Sequence, residues 1–140
     1  MKPISYISTA IGLLGGFLAQ IFGGWDQALI TLLIFMGIDY ITGLMVAFSG
    51  KSTKTKSGGA NSHIGYVGLC KKCLVLLFVI IGTRLDMLLG LTFCRDAVII
   101  GFVTNELVSI IENAGLLGVK IPKVIEQAID ILKSKKDNKE

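Results

Sequence analysis

Between Lys2 and Asp26 the chain runs for 23 residues, Pro3 to Trp25, without a charge. A helix needs about 20 apolar residues to cross roughly 30 Å of hydrocarbon. Backbone groups cannot go unpaired in lipid, so a run of this length is expected to be helical. The feature repeats along the chain. A second stretch, Gln27 to Gly50, is broken only by Asp39, and a third, Cys73 to Cys94, by Arg84 and Asp86. A fourth, Ala97 to Val119, carries Glu106 and Glu112. The composition agrees, with 52% hydrophobic residues, 17% charged residues and a mean hydropathy of +0.71. These values exclude a disordered tail, a collagen-like fibre and a disulfide-stapled secreted module.

The expected fold is therefore all-α and integral to the membrane, with about four transmembrane helices at residues 4–24, 28–49, 69–90 and 96–117. Residues 1–119 form the expected transmembrane domain. Residues 120–140 form an expected cytoplasmic amphipathic helix and basic tail. The first span follows a basic Met1-Lys2 start, but its apolar length exceeds the 7–15 residues of a signal-peptide core. It is expected to remain as a span.

Charge sets the orientation. The loop between spans two and three carries Lys51, Lys54, Lys56, Lys71 and Lys72 and no acid. The connection between spans one and two holds only Asp26, and the Arg84, Asp86, Arg95 and Asp96 charges around the third connection cancel. With Lys2 and the Lys-rich tail, the basic excess falls on one side of a four-span chain, predicting both termini in the cytoplasm. Residues 51–68, rich in Lys, Ser, Thr and Gly, read as a flexible linker held near anionic headgroups. Ile121, Val124, Ile125, Ala128, Ile129 and Leu132 share one face of a further helix, with Pro122 in its first turn. Too short to span, that helix is expected on the membrane surface or under the bundle. The segment from Ser134 to Glu140 is expected to be disordered.

Little points to chemistry on a substrate. Cys70 and Cys73 have the spacing of a redox or metal pair, yet no second Cys or His pair completes a zinc site. Cys94 reads as a small hydrophobe, and His63 stands alone in a loop. No Ser, His and Asp set assembles, so no enzyme activity, cofactor, metal or nucleic-acid partner is expected.

The polar residues inside the spans say more. An ionised acid at a helix centre costs about 2.5–3.5 kcal/mol on insertion scales, so such residues face a partner or water. Asp39 lies near the middle of span two, and Arg84 is its candidate partner. In span four, Asn105, Glu106, Ser109, Glu112 and Asn113 share one face. That face is either a polar helix–helix seam or a wall turned to water when several copies assemble. Gly12 with Gly16, and Gly43 with Ala47, have the small-residue spacing that lets helices approach closely, within a chain or between chains.

Taken in order, several stretches resemble the phage holins of the toxin-secretion and phage-lysis type in Gram-positive systems. Trp25-Asp26 leads into Phe35-Met36-Gly37-Ile38-Asp39-Tyr40-Ile41-Thr42-Gly43. Gly65-Tyr66-Val67-Gly68-Leu69-Cys70-Lys71-Lys72 follows. Near the end come Asn105-Glu106-Leu107-Val108-Ser109-Ile110-Ile111-Glu112-Asn113 and Gly118-Val119-Lys120-Ile121-Pro122-Lys123. The Ser/Gly run from Ser57 to Ser62 is longer than the loop form associated with that family. The resemblance implies a homo-oligomer in the bacterial cytoplasmic membrane that accumulates, then permeabilises it at a set time. An endolysin or toxin then crosses, without needing direct contact. Asp39, Glu106 and Glu112 are expected to disfavour the lesion until pairing or hydration compensates them. Two other classes fit the residues: a dimeric ion- or proton-coupled channel or transporter using Asp39 or Glu106, and a scaffold presenting the basic loop and C-terminal helix.

Overall fold

Residues 3–138 are described by a computed structural model, in which five helices follow one another: α1 (Pro3–Phe22), α2 (Gln27–Phe48), α3 (Ser62–Leu89), α4 (Cys94–Leu116) and α5 (Lys123–Asp137). The described residues contain no strand. Helices α1 to α4 are each long and apolar enough to cross a membrane, so the chain is a multi-pass membrane protein. Lys2, which contributed to the expected orientation, and the last two residues of the basic tail lie outside the described residues.

Three of the expected spans agree to within two residues at either end, but α3 begins seven residues earlier than expected. Asn61 is the reason. Its side-chain oxygen accepts hydrogen bonds from the His63 and Ile64 N–H groups at 2.9 and 3.2 Å, starting the helix there. Residues 62–68, expected to be linker, are thus helical. The remainder of the loop is folded into turns rather than free: the Ser52 N–H donates to the Gly58 carbonyl and the Thr55 hydroxyl to the Gly59 carbonyl, both at 2.9 Å. Only glycine fits at position 58, where φ is +73° and a Cβ would collide with the Gly50 carbonyl oxygen. At the other end Gly90, at φ +66°, closes α3 in the left-handed conformation, its N–H donating to the Asp86 carbonyl.

Helices α2, α3 and α4 form the bundle. Leu29, Leu32 and Met36 of α2, Val75 and Val79 of α3, and Ile99 and Val103 of α4 make one buried cluster. The buried positions of α3 (Val75, Val79, Gly82, Thr83) and of α4 (Arg95, Ile99, Val103, Thr104, Glu106, Asn113) fall along one stripe of each helix, the spacing of a 3.6-residue period. Lipid offers apolar side chains as good a surrounding as a neighbouring helix does. Close packing and polar contacts therefore decide which helices meet. Gly82 permits one such approach, since a Cβ there would stand 3.0 Å from the Arg95 Cα.

Helix α1 has no buried residue and touches the bundle mainly at α3. The expected pair Gly12 and Gly16 lies in open space, so it packs nothing within the chain. Gly43 does serve a seam, with Asn113 Nδ2 at 3.8 Å from where its Cβ would be. Helix α5 packs on the bundle. It folds back along α4, burying Ile129 and packing Leu132 against the central cluster. It is helical as far as Asp137, so residues 134–137 are ordered, contrary to expectation, because α4 supports the helix at Leu132.

Candidate functional site

The buried stripes bring three charges from three helices together. Lys72 Nζ donates to Asp39 Oδ2 at 2.7 Å and to Glu106 Oε2 at 2.5 Å. Each of these side chains is between 11% and 13% exposed, so water screens them little. Asp39 is also held by Asn113, whose Nδ2 donates to Asp39 Oδ1 at 3.3 Å, to its carbonyl at 3.4 Å and to the Thr42 hydroxyl at 3.0 Å. At 1.5 Å per residue, Asp39 and Glu106 stand about 18 Å along their helices from Gln27 and Cys94. A hydrocarbon layer of about 30 Å starting at that end encloses the triad, nearer the loop-bearing side.

Asp39 therefore pairs with Lys72 and not with the expected Arg84. Arg84 projects from an exposed part of α3, its Nη1 3.6 Å from the Met87 sulfur. It sits five residues before the end of α3, close enough for its long side chain to reach the interface. The charge count groups Lys72 with the loop although the expected span 69–90 contains it, because the uncharged run begins only at Cys73. One signal for its burial was present: Lys72 precedes Val75, Val79 and Gly82 at gaps of three, four and three, the stripe on which α3 packs.

The polar face of α4 divides. At about 100° per residue the five expected residues spread over roughly 120° of the helix, more than one neighbour can cover. Glu106 and Asn113, at one edge, are buried against α2 and α3. Asn105 and Glu112, at the other edge, are exposed, with Ser109 between. These three line a cleft of about 420 Å³ with Lys133 and Lys136 of α5. A larger cleft of about 830 Å³ runs from the loop to the triad, with Lys54, His63 and Tyr66 among the residues along it.

A second ionic centre ties the opposite end of the bundle. Arg95 grips Asp26 with both terminal nitrogens, Nη1 to Oδ2 at 2.7 Å and Nη2 to Oδ1 at 3.2 Å. Its Nε donates to the Phe22 carbonyl at 2.6 Å and its Nη2 to the Gly24 carbonyl at 3.2 Å, locking the α1–α2 corner. That corner needs Gly23, at φ +77° with Arg95 Cδ 3.0 Å from where its Cβ would be. Asp86 in turn accepts from the Cys94 and Arg95 N–H groups, both at 2.9 Å, at the start of α4. From the sequence the charges at this end merely cancel. Their pairing was legible only in that Arg95 lies four residues before Ile99 on the buried stripe.

The Arg95 hydrogen bond holds the Asp26 carboxyl below the usual carboxylate range. A carboxylate with a lowered folded pKa adds stability above the ordinary range and loses it as pH falls through the folded value. The melting temperature of the purified chain in detergent is accordingly expected to exceed that of Asp26→Asn at neutral pH. The gap closes in strong acid. A gap that persists there would rule out the ionic account.

Among the described residues no group of three or more His, Cys, Asp and Glu gathers that could hold a metal ion. Cys70 and Cys73 are exposed and free, as is the partly buried Cys94.

The sequence model of the bacteriophage holin family matches residues 16–134. An uncharacterised 14.9 kDa protein of Clostridium perfringens is 40% identical over 95% of this chain and 97% of its own length. An uncharacterised Listeria innocua protein is 36% identical over 93% of this chain and 90% of its own. A protein of Bacillus phage phi105 named as a probable holin is 34% identical over 77% of this chain and 76% of its own. No solved structure matches. With four helices able to span a membrane and a family match over most of its length, the chain belongs to the bacteriophage holin family.

Proposed function

We propose that this protein accumulates in the bacterial cytoplasmic membrane, oligomerises there and permeabilises it at a timed point, releasing an endolysin or toxin that it need not touch. The observation that carries this is the family match over residues 16–134, joined by the phage relative named as a probable holin. Both termini lie in the cytoplasm in this proposal, on the side of the basic loop. The triad supports a metastable seam. It sets two carboxylates against one ammonium, a formal excess of one negative charge among packed helices. Such a cluster holds in one arrangement and is costly when partly broken, which suits a membrane protein with two discrete states.

The test is controlled expression in a bacterium, following membrane potential and release of a cytosolic enzyme together. Abrupt depolarisation with enzyme release after a lag is expected. Saturable, solute-selective flux would identify a transporter instead, and intact barriers at high membrane levels would remove lysis altogether. The same assay reads the acids. Glu106→Gln leaves Lys72 with one carboxylate, and Glu112→Gln removes the charge at the other edge of α4. A changed lag is expected from the pair of substitutions, checked at equal protein amounts. An unchanged lag would show that these acids do not set the timing.

A further inference from the structure

The position of α5 is hard to reconcile with a sealed bilayer. Leu132 reaches the central cluster that contains Val103, and Lys133, Lys136 and Asp137 share a cleft with Thr104 and Asn105. Thr104 lies ten residues from Cys94 and twelve from Leu116, near the middle of α4. Helix α5 thus doubles back antiparallel to α4 as far as mid-span. Its apolar face, with Ile129 and Leu132, is turned to α4. At about 100° per residue, Glu126, Asp130, Lys133 and Asp137 lie on one flank of α5, roughly 40–100° around from Ile129 on the side of the α4–α5 cleft, and all are exposed.

If α4 crosses the membrane, Lys133 and Asp137 lie at hydrocarbon depth with none of the described residues covering them. Charged side chains at that depth require water or a partner. Docking of α5 therefore calls for water or a partner on that flank, which a surround of lipid alone does not supply. A sealed membrane has a different place for this helix: its broad apolar face suits the headgroup boundary, where an amphipathic helix lies flat with its charges in water. The connection Leu117–Pro122, with Gly118 at φ +82°, is the segment about which α5 would turn.

We propose that α5 docked along α4 forms the water-facing wall of the permeabilised state and lies on the membrane surface in the sealed state. The inference rests on the holin function proposed above and extends the wetted surface from the outer edge of α4 onto α5. Glu106 and Asn113 are enclosed by α2 and α3, and Asn105, Ser109 and Glu112 lie beside α5. The charged flank of α5, with Glu126, Asp130, Lys133 and Asp137, and the cleft that Lys133 and Asp137 share with Asn105, Ser109 and Glu112 are then what water meets.

The test is intrachain crosslinking in living cells through the course of triggering. In the full chain with Cys70, Cys73 and Cys94 changed to Ser, Ser109→Cys is combined with Lys133→Cys, two positions sharing the α4–α5 cleft. Glu112→Cys with Lys136→Cys, in the same cleft, is a second pair should one variant fail to insert. Disulfide formed by a brief oxidant pulse is read by mass spectrometry, and release of a cytosolic enzyme is followed in the same culture. Crosslinking is expected to rise about tenfold as release begins, the response of a two-state element crossing its midpoint. Equal crosslinking before and after release would overturn the inference and make α5 a permanent part of the bundle. Absence of release from the parent chain would remove the holin function and this inference with it.

Discussion

Lys72→Met is expected to destabilise the helix bundle by about 3–5 kcal/mol, the usual effect of removing one partner from a buried ionic cluster. Asp39 and Glu106 both donate nothing when ionised. With the ammonium gone, two carboxylates face each other across the α2–α4 seam and only Asn113 still donates to Asp39. Apolar volume at position 72 does not compensate, because the loss lies in charges left without a counterion. The measurement is unfolding of the purified protein in detergent, by melting temperature or resistance to denaturing surfactant. A triple variant, Lys72→Met with Asp39→Asn and Glu106→Gln, is expected to recover most of the loss, since the seam then holds no charge. Failure of the triple variant to recover would mean that the Lys72 side chain acts through packing rather than charge.

Arg95→Ala has the second large effect expected, about 2–4 kcal/mol for the loss of several charge-assisted hydrogen bonds from a buried group. Helix α1 contributes no buried residue. Its attachment rests on Phe22 packing against the central cluster, on Arg95 binding the Phe22 and Gly24 carbonyls and Asp26, and on Trp25 Nε1 donating to the Gly15 carbonyl at 3.1 Å. The variant should therefore free α1 before it melts the bundle. Limited proteolysis in detergent is expected to cut the 22–26 corner faster than in the parent chain, while α2 to α4 stay protected. Arg95→Lys should recover only part of this, because an ammonium cannot reproduce the planar fork that grips both Asp26 oxygens. Full recovery by lysine would show that charge alone, and not the fork, holds the corner.

These two centres also mark where the sequence stopped being sufficient. Long uncharged runs identify the spans directly, because a hydrocarbon layer admits only backbone that pairs with itself. The end of α2 at Phe48 and of α4 at Leu116 were each within a residue or two of expectation. The start of α3 was not. Its first turns carry Ser, His, Gly and Lys in place of lipid-facing side chains, so hydropathy marks the hydrocarbon boundary and not the helix boundary. Asn61 decides the latter by capping.

The choice of partners followed the same division. Asp39 in an apolar run demanded a cation, and both Arg84 and Lys72 are on α3. They lie twelve residues apart, about 18 Å along that helix, so only the relative height of α2 and α3 could choose between them. That height is set through α4: Gly82 and Asp86 fix α3 against the start of α4, and Arg95 ties that start to Asp26 at the head of α2. The periodicity of α4 likewise shows a polar face, while the division of that face between a buried and an exposed edge depends on which helices flank it.

Membership of a membrane-spanning, all-helical class was determined by the sequence itself, since the cost of leaving backbone groups unpaired in lipid acts on each segment separately. The ion triad, the Arg95 corner and the seat of α5 on α4 were decided only by tertiary structure. Each joins residues from different helices, and the register between helices is a property of their packing that no single segment carries.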